Sequence, residues 1–236
     1  MLALLACAYA VLWLGGVTQG WRGGDASGSQ GWLAGSFLTL AGLIVIVGAR
    51  TGSERLALLA VALLGFTVEV LGVRLGVPFG SYSYTDALGP RLLGVPPSVA
   101  FAWMTLAAYV KQMIARFNFA PRTEMLVAAL WLTALDLVID PVANQLGYWR
   151  WEVEGAFYGI PLTNFAGWLI VSLVFFKILG KKFEPSLPQQ LAGLSIILFF
   201  TLLALFTSSY FIALLGCLLI VVHVALPGMQ RDKRGS

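Results

Sequence analysis

Charge is what this sequence lacks most. Only 11% of its 236 residues are Asp, Glu, Lys or Arg, whereas 59% are hydrophobic and the mean hydropathy is +0.86. Soluble domains carry about 25% charged residues, so a water-soluble globule is excluded. Long apolar runs with few charges read as transmembrane helices. Histidine is represented by His223 alone. One imidazole without a cysteine partner argues against zinc, although a site of carboxylates alone stays open. The two cysteines, Cys7 and Cys217, fall inside apolar segments. There a free thiol behaves as a small hydrophobe, and two such residues frame neither a disulfide scaffold nor a metal site. No phosphate-cradling glycine loop, dinucleotide fingerprint or G-x-S-x-G elbow occurs. Residues 190–226 hold no lysine, which argues against a retinal Schiff base in the last helices. The opening run MLALLACAYAVLWLGGV has no basic residue before it. A secretory leader starts with one, so this run reads as the first membrane helix. With no cofactor motif in view, no cofactor is expected, and the net charge of +4, with its basic residues in short loops, does not suggest a nucleic-acid partner.

What is present is a set of eight apolar segments, near 1–18, 32–49, 55–73, 94–115, 123–142, 161–179, 190–206 and 209–226. Each is close to the ~20 residues that cross a ~30 Å hydrocarbon layer. The predicted fold is therefore all-α, a polytopic membrane helix bundle. It is one transmembrane domain over 1–228, followed by a short basic tail, 229–236, expected to be disordered. Basic residues test the count. Arg50, Arg55, Lys111, Arg116, Arg122, Lys177, Lys181, Lys182, Arg231, Lys233 and Arg234 all fall on one side of an eight-span chain. Only Arg22, Arg74, Arg91 and Arg150 fall on the other. Lys and Arg concentrate in cytoplasmic loops, so both termini are predicted to be cytoplasmic and the protein to lie in the cytoplasmic membrane. Two loops on the opposite side, 76–96 and 144–164, are rich in Gly, Pro and aromatics. An aromatic belt explains part of that but not its concentration in two loops on one face.

Ionisable groups inside a membrane cost about 2.5–3.5 kcal/mol each on insertion scales and signal function by default. Glu69, Arg74, Asp136 and Asp140 are such groups. With spans ending near Val73 and Val142, Glu69 lies about 6 Å, Asp136 about 9 Å and Asp140 about 3 Å below the outer end. Asn164 opens the next span on that side, so the four can share the outer third of the membrane under the two aromatic loops. Asp136 and Asp140 occupy one helix face at i and i+4, and Pro141 is expected to end that helix. Two carboxylates held close in a poorly hydrated site cannot both ionise easily. A carboxylic acid beside a carboxylate is what general acid–base chemistry uses, with Arg74 available to neutralise one group. A purely structural role, Glu69 tying helices through Arg74 or an aspartate, competes with this reading, as does a proton or cation pathway. His223 lies at the wrong depth and reads as a packing residue. The residues permit hydration of a carbon–carbon double bond, with an acid, a base and aromatic faces for a cation. They do not select it over isomerisation or lipid binding.

Two stretches, 72–103 (GVRLGVPFGSYSYTDALGPRLLGVPPSVAFAW) and 135–168 (LDLVIDPVANQLGYWRWEVEGAFYGIPLTNFAGW), go further. Together they resemble the CruF-type membrane carotenoid 1,2-hydratases, the family of γ-carotene 1′-hydratase and bisanhydrobacterioruberin hydratase. The family's P-F-G-x-Y-x-Y falls on Pro78, Phe79, Gly80, Tyr82 and Tyr84, and its D-x-x-x-D-P on Asp136, Asp140 and Pro141. Its W-x-W falls on Trp149 and Trp151, and its Y-G-I-P-x-x-N on Tyr158, Gly159, Ile160, Pro161 and Asn164. The resemblance implies cofactor-independent addition of water to the terminal C1′=C2′ bond of a linear carotenoid end, giving a tertiary alcohol. Asp136, Asp140 and Glu69 become the candidate acids and bases. Phe79, Tyr82, Tyr84, Trp103, Trp149, Trp151, Tyr158 and Arg74 become the candidate pocket, with Asn164 to orient water. The implied partners are the membrane-dissolved carotenoid, the lipid bilayer and other carotenoid-biosynthesis enzymes. A carotenoid-binding or assembly protein without catalysis, and a proton-coupled transporter, are the competing functions.

Overall fold

The computed structural model describes residues 1–23, 31–180 and 183–232. Among them are eight α-helices: α1 (Leu2–Trp21), α2 (Gly31–Gly48), α3 (Gly52–Leu75), α4 (Ser98–Ile114), α5 (Pro121–Gln145), α6 (Leu162–Leu179), α7 (Leu187–Phe206) and α8 (Tyr210–Asp232). In lipid a helix satisfies its own backbone polar groups, and apolar composition does the rest. Five of them, α1, α3, α5, α6 and α7, are long and apolar enough to cross a membrane. In α2 and α8 the apolar stretches are shorter, Trp32–Gly48 and Tyr210–Ala225. The eight-span reading needs these two and α4 as well.

Local signals set several ends. The Thr51 hydroxyl accepts the Glu54 N–H at 3.2 Å and caps α3, as N-cap threonines do. Gly76, at φ 69°, closes the same helix in the left-handed conformation that glycine tolerates. Pro121 opens α5 at the first turn, where a missing N–H costs nothing. One expectation fails here. Pro141 does not end α5, which continues to Gln145. The proline removes a single backbone donor, and packing along α6 holds the chain helical past it. With α5 ending at Gln145 and α3 at Leu75, Asp140 lies about 8 Å, Asp136 about 14 Å and Glu69 about 9 Å from their helix ends. α8 extends to Asp232. Lys181, Lys182, Lys233 and Arg234 lie outside the described residues.

α4 is the central helix. Every residue from Trp103 to Ile114 is buried, with α2, α3, α5, α6 and α7 around it. α1 is peripheral, and Tyr9 is its one buried residue. It docks on α7 through the Tyr9 hydroxyl to Ser195 Oγ (2.8 Å) and Trp13 Nε1 to the Ser195 carbonyl (2.9 Å). The end carrying the basic loops is tied by buried polar groups. Glu54 accepts the N–H groups of Arg50 (2.8 Å) and Glu184 (2.7 Å). Gln112 bonds Gln189 (2.8 Å) and receives the Ser186 N–H (3.0 Å). His223 is buried with Tyr109 (3.1 Å), a packing residue as read. Cys7 and Cys217 are free and on the outer surface.

The opposite end carries an element the all-α reading lacks. Two short strands, β1 (Tyr82–Tyr84) and β2 (Trp149–Trp151), pair antiparallel with Tyr82 opposite Trp151, Ser83 opposite Arg150 and Tyr84 opposite Trp149. The Y-S-Y and W-R-W alternation is the period-2 pattern of a strand with one buried face. Tyr82 and Tyr84 are buried, whereas Ser83 and Arg150 are exposed. This ribbon covers the bundle end where the acids lie.

Candidate active site

Three helices deliver the polar groups. α3 carries Glu69, α5 carries Asp136 and Asp140, and α6 carries Asn164 in its first turn. All four are buried: Glu69 5%, Asp136 0%, Asp140 4% and Asn164 2% exposed. The Asn164 amide nitrogen donates to Asp136 Oδ2 (2.8 Å) and to Asp140 Oδ2 (2.6 Å). One amide thus bridges two carboxyls, and both its protons are committed to them rather than to water. Asp136 Oδ1 is buried without a hydrogen-bond partner. Burying a polar oxygen unpaired is costly, and such an atom marks strain or function.

Glu69 is held differently. Its Oε2 accepts the hydroxyls of Tyr82 and of Tyr84 (2.7 Å), and its Oε1 accepts the Trp103 indole N–H (2.8 Å). The ribbon delivers the two tyrosines and α4 the tryptophan. Burial, and after it the Glu69 carboxylate, pushes both phenols well above the usual tyrosine value. They therefore stay protonated and act as donors. Close approach of ribbon and helix requires Gly72, where a Cβ would stand 2.8 Å from the Tyr82 hydroxyl.

Aromatic rings surround this polar layer. Tyr82 packs on Trp151 (4.9 Å between ring centres) and Tyr84 on Trp149 (5.7 Å). Trp103 stacks on Trp168 at 3.7 Å, and Phe79 lies 6.2 Å from Trp103. A cavity of about 690 Å³ opens among them. Glu69, Asp140 and Asn164 line it, whereas Asp136 stands behind them. The cavity wall also includes Trp151, whose indole N–H is buried and unpaired. Among the described residues no three metal-ligating side chains converge.

Of the residues singled out from sequence, the structure brings together Glu69, Phe79, Tyr82, Tyr84, Trp103, Asp140, Trp149, Trp151 and Asn164 around one cavity, with Asp136 one layer back. It does not bring in Arg74 or Tyr158. Arg74 is exposed in the last turn of α3 and pairs with none of the acids. Tyr158 is 39% exposed and packs on Phe157. Sequence reasoning missed Trp168, Tyr148 and the walls from α1, α2 and α7. Trp168 was the readable one, since the spacing of Asn164 and Trp168 at i and i+4 puts both on one helix face.

These features define a class: a polytopic helix bundle of apolar composition, with an acid–aromatic cavity at one end of the bundle. The chain belongs to the carotenoid biosynthesis protein family, whose sequence profile matches residues 31–228. A curated relative, the bisanhydrobacterioruberin hydratase of Haloarcula japonica, is 38% identical over 150 residues, which cover 61% of this chain and 50% of the relative. The chain thus spans about half the length of that relative. No solved structure matches the chain.

Proposed function

We propose that the protein is a carotenoid hydratase that adds water to the terminal C1′=C2′ bond of a linear carotenoid end such as that of γ-carotene or lycopene. The observation that carries this reading is the pairing of two carboxyl sites across one cavity: Asp140 on one wall and Glu69 on another, among aromatic faces. The name of the Haloarcula relative supports the same chemistry.

In this mechanism Asp140 is the acid. Its carboxyl shares Asn164 with Asp136, and two close carboxyls in an apolar setting favour holding one proton between them. That proton passes to C2′, and the π pair forms the new C–H bond. The tertiary cation left at C1′ is stabilised by ring faces, worth about 0.5–2 kcal/mol each, and by the Glu69 carboxylate. Water then bonds to C1′ and gives up a proton to Glu69. Return of that proton to Asp140 restores the site. Asp136 acts through Asp140, and the free Trp151 N–H is placed to hold the attacking water or the product hydroxyl. No step draws on a redox or phosphate donor. By the distribution of basic loops, the site lies in the outer third of the cytoplasmic membrane.

The test is carotenoid mass after co-expression in a host making γ-carotene and lycopene. A gain of one water in the wild type, lost on Asp140→Asn while the protein stays in the membrane, is the expected result. Full activity in both Asp136→Asn and Asp140→Asn would overturn the assignment.

A further inference from the structure

α1 lies at the edge of the bundle, packed on α2 and α7. The family profile begins at residue 31, after this helix ends. Yet α1 forms one wall of the cavity that holds Glu69 and Asp140. Val11, Gly15, Thr18 and Arg22, all exposed, border it at i, i+4, i+7 and i+11, and Leu12 and Gly16 border it from the adjoining positions. At 1.5 Å per residue they span about 16 Å of wall. The Thr18 hydroxyl donates back to the Gly15 carbonyl (2.9 Å), so its proton is not offered to the cavity.

Two adjacent glycines on this helix have opposite surroundings. A Cβ on Gly16 would stand 2.7 Å from the Phe199 ring, so α1 is drawn tight against α7 there. A Cβ on Gly15 would meet no atom within 4 Å. Both glycines line the cavity; Gly16 holds the backbone close to α7, whereas Gly15 is exposed and leaves open space beside it. A linear substrate with its terminal double bond at Asp140 must run its remaining length away from the acids. The trough beside α1 is continuous with them.

We propose that α1 is a selecting wall for the polyene, and that the bare backbone at Gly15 gives the trough the width a linear carotenoid chain needs. The identity of the chain as a carotenoid rests on the hydratase reading above. A side chain at 15 starts from a Cβ that touches no protein atom and grows from a backbone that lines the trough.

The experiment compares wild type, Gly15→Ala, Gly15→Phe and Leu14→Phe, purified as full chains from a lycopene-making host. Leu14 is 58% exposed and outside the cavity lining, so it controls for a new ring on the same helix. Bound carotenoid per protein, lycopene and any hydrated product together, is read from absorbance, and melting temperature checks folding. The expected result is a graded loss, at least tenfold for Gly15→Phe, with Leu14→Phe at the wild-type level and all melting temperatures alike. Equal pigment in Gly15→Phe and wild type, or none in wild type, would overturn the proposal. Product mass is scored separately: pigment that binds and responds to position 15 but gains no water removes the hydratase reading and leaves the wall in place.

Discussion

Glu69 receives three hydrogen bonds from two different elements, the ribbon and α4. Hydrogen bonds to a charged group contribute about 1.5–3 kcal/mol each, and a buried carboxylate left unpaired costs more than that gain. Tyr82→Phe and Tyr84→Phe are each expected to slow hydration about tenfold, and the double variant by more than the product of the two, because only Trp103 then remains. Rate per milligram of membrane protein checks this. The sign of the pH effect follows from the raised phenols. Their protonated forms favour the folded state, so their contribution is fully present below about pH 10, the unfolded tyrosine value, and is lost as pH rises further. Stability measured between pH 7 and 9 should not respond to them. At this scale the sequence was informative about Asp136, Asp140 and Asn164, because i, i+4 spacing fixes a shared face. It misled about Arg74. Helix neighbours are three or four residues apart, and five residues turn Arg74 away from Glu69. Its place in the last turn of α3 suits a cation at a helix C-terminus.

The ribbon and α5 show what was harder to read among the elements. Strands of three residues are too short for periodicity to stand out, although Y-S-Y and W-R-W do alternate, and their pairing joins positions 82 and 151 across two helices. Pro141 was read as a stop because proline disfavours helix interiors. Burial of Val138, Asp140, Val142 and Ala143 overrides that preference. The contact of α3 with the ribbon gives a prediction at this level. In Gly72→Ala the new methyl stands 2.8 Å from the Tyr82 hydroxyl and 3.0 Å from the Phe79 ring. Overpacking of this kind costs about 1–3 kcal/mol. Tyr82 is the group able to move, and moving it breaks its bond to Glu69. Hydration should therefore fall at least tenfold while the helices remain inserted. Unchanged product yield from Gly72→Ala would show that the tyrosine clamp is not needed.

Hydropathy exposes the helices of the whole molecule because lipid demands self-satisfied backbones. It does not say that α4 is central and α1 peripheral, since that depends on contacts between residues far apart in sequence. Charge adds orientation. The ends of the helices agree with the reading from basic loops: Arg50, Arg55, Lys111, Arg116, Arg122 and Lys177 lie at the helix ends tied by Glu54 and Gln112, and Arg150 lies on the ribbon at the other. Positive residues stay in the cytoplasm, so the ribbon and the acids should face away from it. Arg150 and Arg122 are both exposed, and replacing Cys7 and Cys217 by alanine gives a background for single reporters. In intact cells a membrane-impermeant maleimide should label Arg150→Cys at once and Arg122→Cys only after permeabilisation. The ribbon side chain points away from the cavity, so labelling there should leave hydration intact. The reverse labelling order would invert the bundle, put the acid layer in the inner leaflet and deliver the substrate end from the cytoplasmic side.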